Sequence, residues 1–214
     1  MDANEVAQFL KSHPQFFDQH PQLLESIYVP HPHGGRAIPL TERQMVGLRE
    51  KLRLLEARLA EFVRFGEDND AIGEKVHRLS LALVGAKDFA AATSSLYFHL
   101  REDFAVPHVA LRVWDKPQAG AAPEGAPVDA ELRSRAEAMG APLCGAAAGN
   151  PFLPWFREAQ EHVRSIALVP LGQTRTIGLL ALGSEDPQRF FAEMGTLYLR
   201  RIGELAAGAL AAGS

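Results

Sequence analysis

Residues 165–184 read SIALVPLGQTRTIGLLALGS. Two apolar runs flank a short polar turn, which is the pattern of a β-hairpin. A strand with one wet face alternates apolar and polar residues, and these runs barely do. Near-continuous apolar strands belong in the centre of a sheet that is covered on both sides. The hairpin therefore predicts a layered domain, and the flanking sequence must supply the layers.

Working outward, HVALRVWD (108–115) has a period of two: Val109, Leu111 and Val113 alternate with Ala110, Arg112 and Trp114. That predicts a strand with one apolar and one mixed face. KPQAGAAPEGAP reads as a surface loop, VDAELRSRAEAMG as a short helix stopped by Gly140, and PLCG as a brief strand. NPFLPWFREAQ, rich in proline and aromatics, predicts a short helix or a lid. RFFAEMGTLYLRRIGELAAGALA has apolar residues at helical spacing and predicts a long closing helix. Upstream of the first strand, Ile72, Val76, Leu79 and Leu83 form one helical pattern ending near Gly85. A further helix is expected from about Phe89 to Phe104. The expected fold is α+β: a central antiparallel sheet between helical layers, with the bracketing helices on one face and the middle segment on the other.

The first part of the chain differs. Asp2 followed by Glu5 predicts a capping box at the start of a helix. Pro14 and Pro21 each precede an apolar pair and predict two short helices. VPHPHGGRAIP reads as loop. From Thr41, a good N-cap, Met45, Leu48, Leu52, Leu55, Leu59 and Phe62 recur at alternating spacings of three and four. This is an a/d seam, and it sets Lys51 at g and Glu56 at the following e, where a parallel two-chain coil brings opposite charges together. Two readings stand: a dimer seam, or an amphipathic helix folded on its own domain. The next seam positions are Gly66, Asn69 and Gly73 around GEDND, which predicts a break or kink. The expected organisation is an N-terminal extension (1–40), a connecting helix (41–66) and a sheet domain (67–212).

The 214 residues carry 22 Lys and Arg against 26 Asp and Glu, a formal net charge of −4, which argues against a general nucleic-acid surface. One cysteine, Cys144, excludes an internal disulfide and suits a reducing cytoplasm. The N-terminus lacks a signal-peptide pattern, and no apolar run is long enough to span a bilayer.

Several of these segments together resemble a known group. VPL, a polar turn, GLLALGS, RFF and a long closing helix resemble the last third of a GAF domain. FLKSHPQFFDQHPQLL, LTERQMVGLREKLRLLEARL and GLLALGSEDPQRFFAEMGTLYLRRIGEL together make the whole chain similar to a bacterial GAF-like family of unknown function. The resemblance implies a GAF-like fold for about residues 67–212 behind a helical extension, and no established activity. Relatives include sensors, chromophore carriers and one reductase type. The reductase type uses several active-site cysteines, so Cys144 alone disfavours that chemistry. Pigment carriers attach through a cysteine commonly followed by histidine, and here Gly145 follows. The cyclic-nucleotide subgroup's Asn-Lys-Phe-Asp-Glu set has no match.

Cys144 reads as a small buried hydrophobe rather than a reactive thiol. His13, His20, His31 and His33 crowd the N-terminal extension without completing a metal set, and read as capping or surface residues. No catalytic constellation, dinucleotide pattern or P-loop is legible, and no cofactor is required. The relatives bind ligands on one side of the sheet. The expected pocket therefore lies between the sheet and residues 141–160, bordered by Arg112, Trp114, Cys144, Trp155 and Phe156, with Arg112 orienting an anion. The expected function is non-catalytic small-molecule sensing by a homodimer, with signals leaving through the N-terminal helices or a separate partner protein. The alternative is a ligand-free dimeric scaffold.

Overall fold

The computed structural model describes residues 2–29, 38–115, 119, 122–172 and 175–212. The chain divides into two compact units, Met1–Glu67 and Asp68–Ser214.

The first unit begins with α1 (Ala3–Ser12), opened by the capping box: the Asp2 carboxylate accepts from the Glu5 N–H at 2.7 Å, and the Glu5 carboxylate accepts from the Asp2 N–H at 2.8 Å. The short helices α2 (Phe16–Gln19) and α3 (Pro21–Ser26) follow, with Pro21 in the first turn of α3. The ends of the segment read wholly as a loop are instead strand: β1 (Tyr28–Val29) and β2 (Ile38–Pro39), two residues each, pair antiparallel. Residues 30–37, including His31 and His33, lie outside the described residues.

Helix α4 runs from Leu40 to Val84 without interruption. The expected break at GEDND is absent. Gly66 and Gly73 each cost a helix only about 1 kcal/mol, and no proline removes a hydrogen bond there. The seam residues Met45, Leu48, Leu52, Leu55, Leu59 and Phe62 are all exposed, from 50 % at Met45 to 69 % at Phe62. In the second unit the same helix buries Val76, Leu79 and Leu83.

The second unit continues with α5 (Phe89–Glu102), β3 (His108–Val113), α6 (Ala130–Glu137), β4 (Leu143–Ala146), β5 (Ser165–Leu171), β6 (Gly178–Ser184) and α7 (Leu197–Ala212). Its antiparallel sheet has the order β3-β6-β5-β4. The hairpin of β5 with β6 occupies the centre, and every residue of β6 is buried. Alternation sorts the side chains. Leu111, Val113, Ala167, Val169, Leu180 and Leu182 face one core with the end of α4, α5 and α7. Ala110, Trp114, Ile166, Leu168, Leu179 and Ala181 face a second core with Ala136 of α6 and Phe152, Phe156 and Val163 of the middle segment. Two covered faces explain why the hairpin is apolar on both.

At the open end of the hairpin, the buried Ser165 hydroxyl donates to the Asp186 carbonyl at 2.6 Å, and the Ser184 hydroxyl accepts from the Asp186 N–H at 3.1 Å. The closing helix starts later than its apolar spacing predicts. Phe190 is buried in the first core and residues 185–196 form turns, so the chain takes up helical geometry only after Gly195.

Candidate functional site

On the second-core face of the sheet, β3 presents Arg112. The segment Leu153–Glu161 lies over this face as two 3₁₀ turns broken at Arg157. Between them and α5 opens a cleft of about 740 Å³, whose lining includes Tyr97, Arg112, Glu124, Trp155, Phe156 and Arg157.

Arg112 is half-buried. Its guanidinium lies 5.3 Å from the Trp155 ring centroid, and one N–H donates to the Leu111 carbonyl at 2.8 Å. A guanidinium over an indole is held by the ring's negative face. Burial lowers the Arg112 pKa, and the positive charge of Arg157 adds to that lowering against the negative charge of Glu124. Tyr97, from α5, donates its hydroxyl to Glu124 at 2.9 Å. Burial, then this bond, push the phenol well above its ordinary range, so it remains a neutral donor. Phe156 is buried against His108, their ring centroids 6.5 Å apart. The His108 Nε2 is enclosed without a hydrogen-bond partner among the described residues, 3.5 Å from a Glu185 carboxylate oxygen.

Arg157 has φ 54° and ψ −124°. This is a conformation that glycine adopts freely and that costs other residues about 1–3 kcal/mol. Phe152, immediately before this segment, is anchored by the Asn150 side chain, which accepts its N–H at 3.0 Å.

Of the five residues expected to border one pocket, the structure brings Arg112, Trp155 and Phe156 together. Trp114 shares their sheet face but lies beyond the cleft. Its indole N–H donates to the Thr176 carbonyl at 2.9 Å, and Arg133 stacks on its ring at 5.5 Å. Cys144 lies elsewhere: it pairs with Ala167 in the ladder, and both side chains turn to the helical face of the sheet. The pleat decides this, since its neighbours in β4 point the other way. Burial pushes the Cys144 thiol up, so the thiolate needed for reactivity is disfavoured.

Sequence reasoning missed Tyr97, Glu124 and Arg157. Tyr97 sits in a helix whose apolar pattern disguises it, and Glu124 comes from a loop read as surface. No sequence signal marks the positive φ at Arg157.

Among the described residues no group of three or more His, Cys, Asp or Glu is placed to hold a metal. His13 and His20 are the C-cap residues of α1 and α2, stacked on or against Phe9 and Phe16 respectively. No helix of the described residues is long and apolar enough to cross a membrane.

The chain is 24 % identical over 209 residues to the uncharacterized protein YigA of Salmonella typhimurium, covering 94 % of this chain and 88 % of that one. Among solved structures, it is similar to a free methionine-R-sulfoxide reductase from Neisseria meningitidis, solved with its substrate. The TM-score is 0.45 at 19 % identity, over 66 % of this chain and 89 % of that one. It is also similar to the GAF domain of a putative sensor histidine kinase from Pseudomonas syringae pv. tomato. There the TM-score is 0.46 at 15 % identity, over 70 % and 91 % of the two chains. The family described as "Protein of unknown function, DUF484" matches residues 1–211, and the chain belongs to that family.

Proposed function

We propose that this protein is a non-catalytic, cytoplasmic sensing module: the second unit binds a small molecule in the cleft beside Arg112, and the chain acts as a homodimer through α4. The observation that carries the sensing part is the cleft itself. It has the volume of a small-molecule site and combines aromatic walls with a few convergent polar groups. Arg112 supplies a half-buried donor array, Tyr97 a neutral phenol, and Trp155 and Phe156 the contact area. The sequence resemblance to GAF domains points the same way.

The dimer rests on the exposed seam. Six large apolar side chains in one heptad register are a costly surface for a monomer to leave in water. A parallel pairing would cover them and set Lys51 against Glu56 of the second copy. The exposed Val6 and Phe9 of α1 offer a route to a protein partner.

Native mass spectrometry of the purified protein tests both parts. The expected result is a dimer carrying a small-molecule adduct released on denaturation. A dimer with no adduct favours the ligand-free scaffold. In parallel, Leu52→Asp with Leu55→Asp places charges in the seam and should yield a folded monomer in sedimentation. A double variant that stays dimeric removes the seam, as does a wild-type monomer at concentrations on the order of tens of micromolar.

A further inference from the structure

We infer that the cleft takes a small organic oxyanion, a carboxylate or phosphate monoester with a flat apolar body, clamped between the guanidinium groups of Arg112 and Arg157. This rests on the sensing reading of the same cleft and adds the ligand's charge and shape. Three observations carry it.

The first is an imbalance of charge. Arg101, Arg112 and Arg157 line the cleft against Glu102 and Glu124. Glu124 already accepts the Tyr97 hydroxyl. Neither Arg112 nor Arg157 forms an ion pair among the described residues. A guanidinium stacked on an indole keeps its planar fork of donors, and that fork matches a carboxylate or phosphate.

The second is the backbone at Arg157. A side chain other than glycine is retained at φ 54°, in a position where glycine would relieve the strain. The strained turn sets a second cation on the lip of the cleft. Strain of this kind persists where a residue's placement serves a site. The third is the floor and wall. Phe156 is buried beneath the cleft, while Phe98 lines it and is 59 % exposed. An apolar body beside the anion would cover Phe98.

The test uses the full chain and defined probes: phenylphosphate, phenylacetate, inorganic phosphate and the uncharged 2-phenylethanol. Binding is read by calorimetry and by tryptophan fluorescence, with Trp155 in the cleft. Phenylphosphate or phenylacetate should bind at least tenfold more tightly than 2-phenylethanol and than inorganic phosphate, and whichever of the two wins identifies the oxyanion. Arg112→Gln and Arg157→Gly should each weaken that probe at least tenfold. Arg157→Gly should also melt at or above the wild-type temperature without probe, because it relieves strain, so its loss of binding cannot be a loss of fold. Equal affinity for the charged and uncharged probes overturns the clamp and leaves the sensing reading standing. So does an unchanged affinity in Arg157→Gly. Failure of every probe to bind overturns the clamp, and the adduct in the native mass then decides separately whether the cleft binds anything.

Discussion

Leu179 tests the placement of the hairpin most directly. It is completely buried in β6, opposite Arg112 on one side and Pro170 on the other, and packs in the second core with Phe152, Phe156, Ile166 and Leu168. Leu179→Ala removes three carbon groups. At about 0.8 kcal/mol each, the lost transfer free energy is about 2 kcal/mol. A cavity penalty adds to it, because β3 and β5 hold β6 through paired backbones on both sides and cannot close inward. The expected loss is about 3–4 kcal/mol, within the range for buried leucine truncations. For a unit of this size that lowers the melting temperature by roughly 6–16 °C. Both tryptophans, Trp114 and Trp155, lie in the second unit, so fluorescence-detected urea unfolding reports that unit alone. The midpoint should fall with an unchanged slope. Leu81→Ala, at a 61 % exposed leucine of α4, is the control and should cost well under about 1 kcal/mol. A loss below about 1 kcal/mol at Leu179 would refute a central, doubly covered β6.

Two glycines of α7 make a paired prediction. A Cβ at Gly203 would lie 2.7 Å from the Val169 Cγ1 and 3.1 Å from the Pro170 carbonyl oxygen, whereas at Gly208 it would meet nothing within 4 Å. Gly208→Ala should stabilise by up to about 1 kcal/mol through helix propensity. Gly203→Ala gains the same and loses about 1–3 kcal/mol to overpacking against a buried β5, so its urea midpoint should fall while that of Gly208→Ala rises. At low pH, Asp103 is the group to watch. Its carboxylate accepts from His99 at 2.5 Å and from Arg78 at 3.0 Å, and these contacts, His99 first, hold its pKa below the usual value. A depressed carboxylate pKa stabilises the fold above the unfolded value of about 3.9 and loses that contribution as pH falls through the folded value. Asp103→Asn should therefore be less stable than wild type at about pH 6, with the difference shrinking below about pH 4. A constant difference across that range in pH-dependent melts would discount the ion pair.

The layered fold was legible because burial on both faces leaves a written mark. The continuous apolar runs of β5 and β6 admit few other positions, and the alternation in β3 by itself assigns Arg112 and Leu111 to opposite faces. Cys144 of β4 shares the helical face with Ala167 of β5, its partner in the ladder, and a four-residue strand next to a loop carries too short an alternation to fix that register from sequence. The break expected at GEDND failed for a different reason. The apolar seam stops there, but a helix needs only backbone hydrogen bonds to continue, and two glycines without a proline do not remove them. The seam's end marks where the helix changes what it faces: exposed apolar residues before it, and Val76, Leu79 and Leu83 in the core of the second unit after it. Arg157 was the least legible of all. Its place in the proposed clamp depends on a positive φ at a residue other than glycine, which nothing in the local composition announces. A residue that sequence propensity would place elsewhere, held against strain at the lip of a charged cleft, is the kind of local inconsistency that folded chains retain at sites of use.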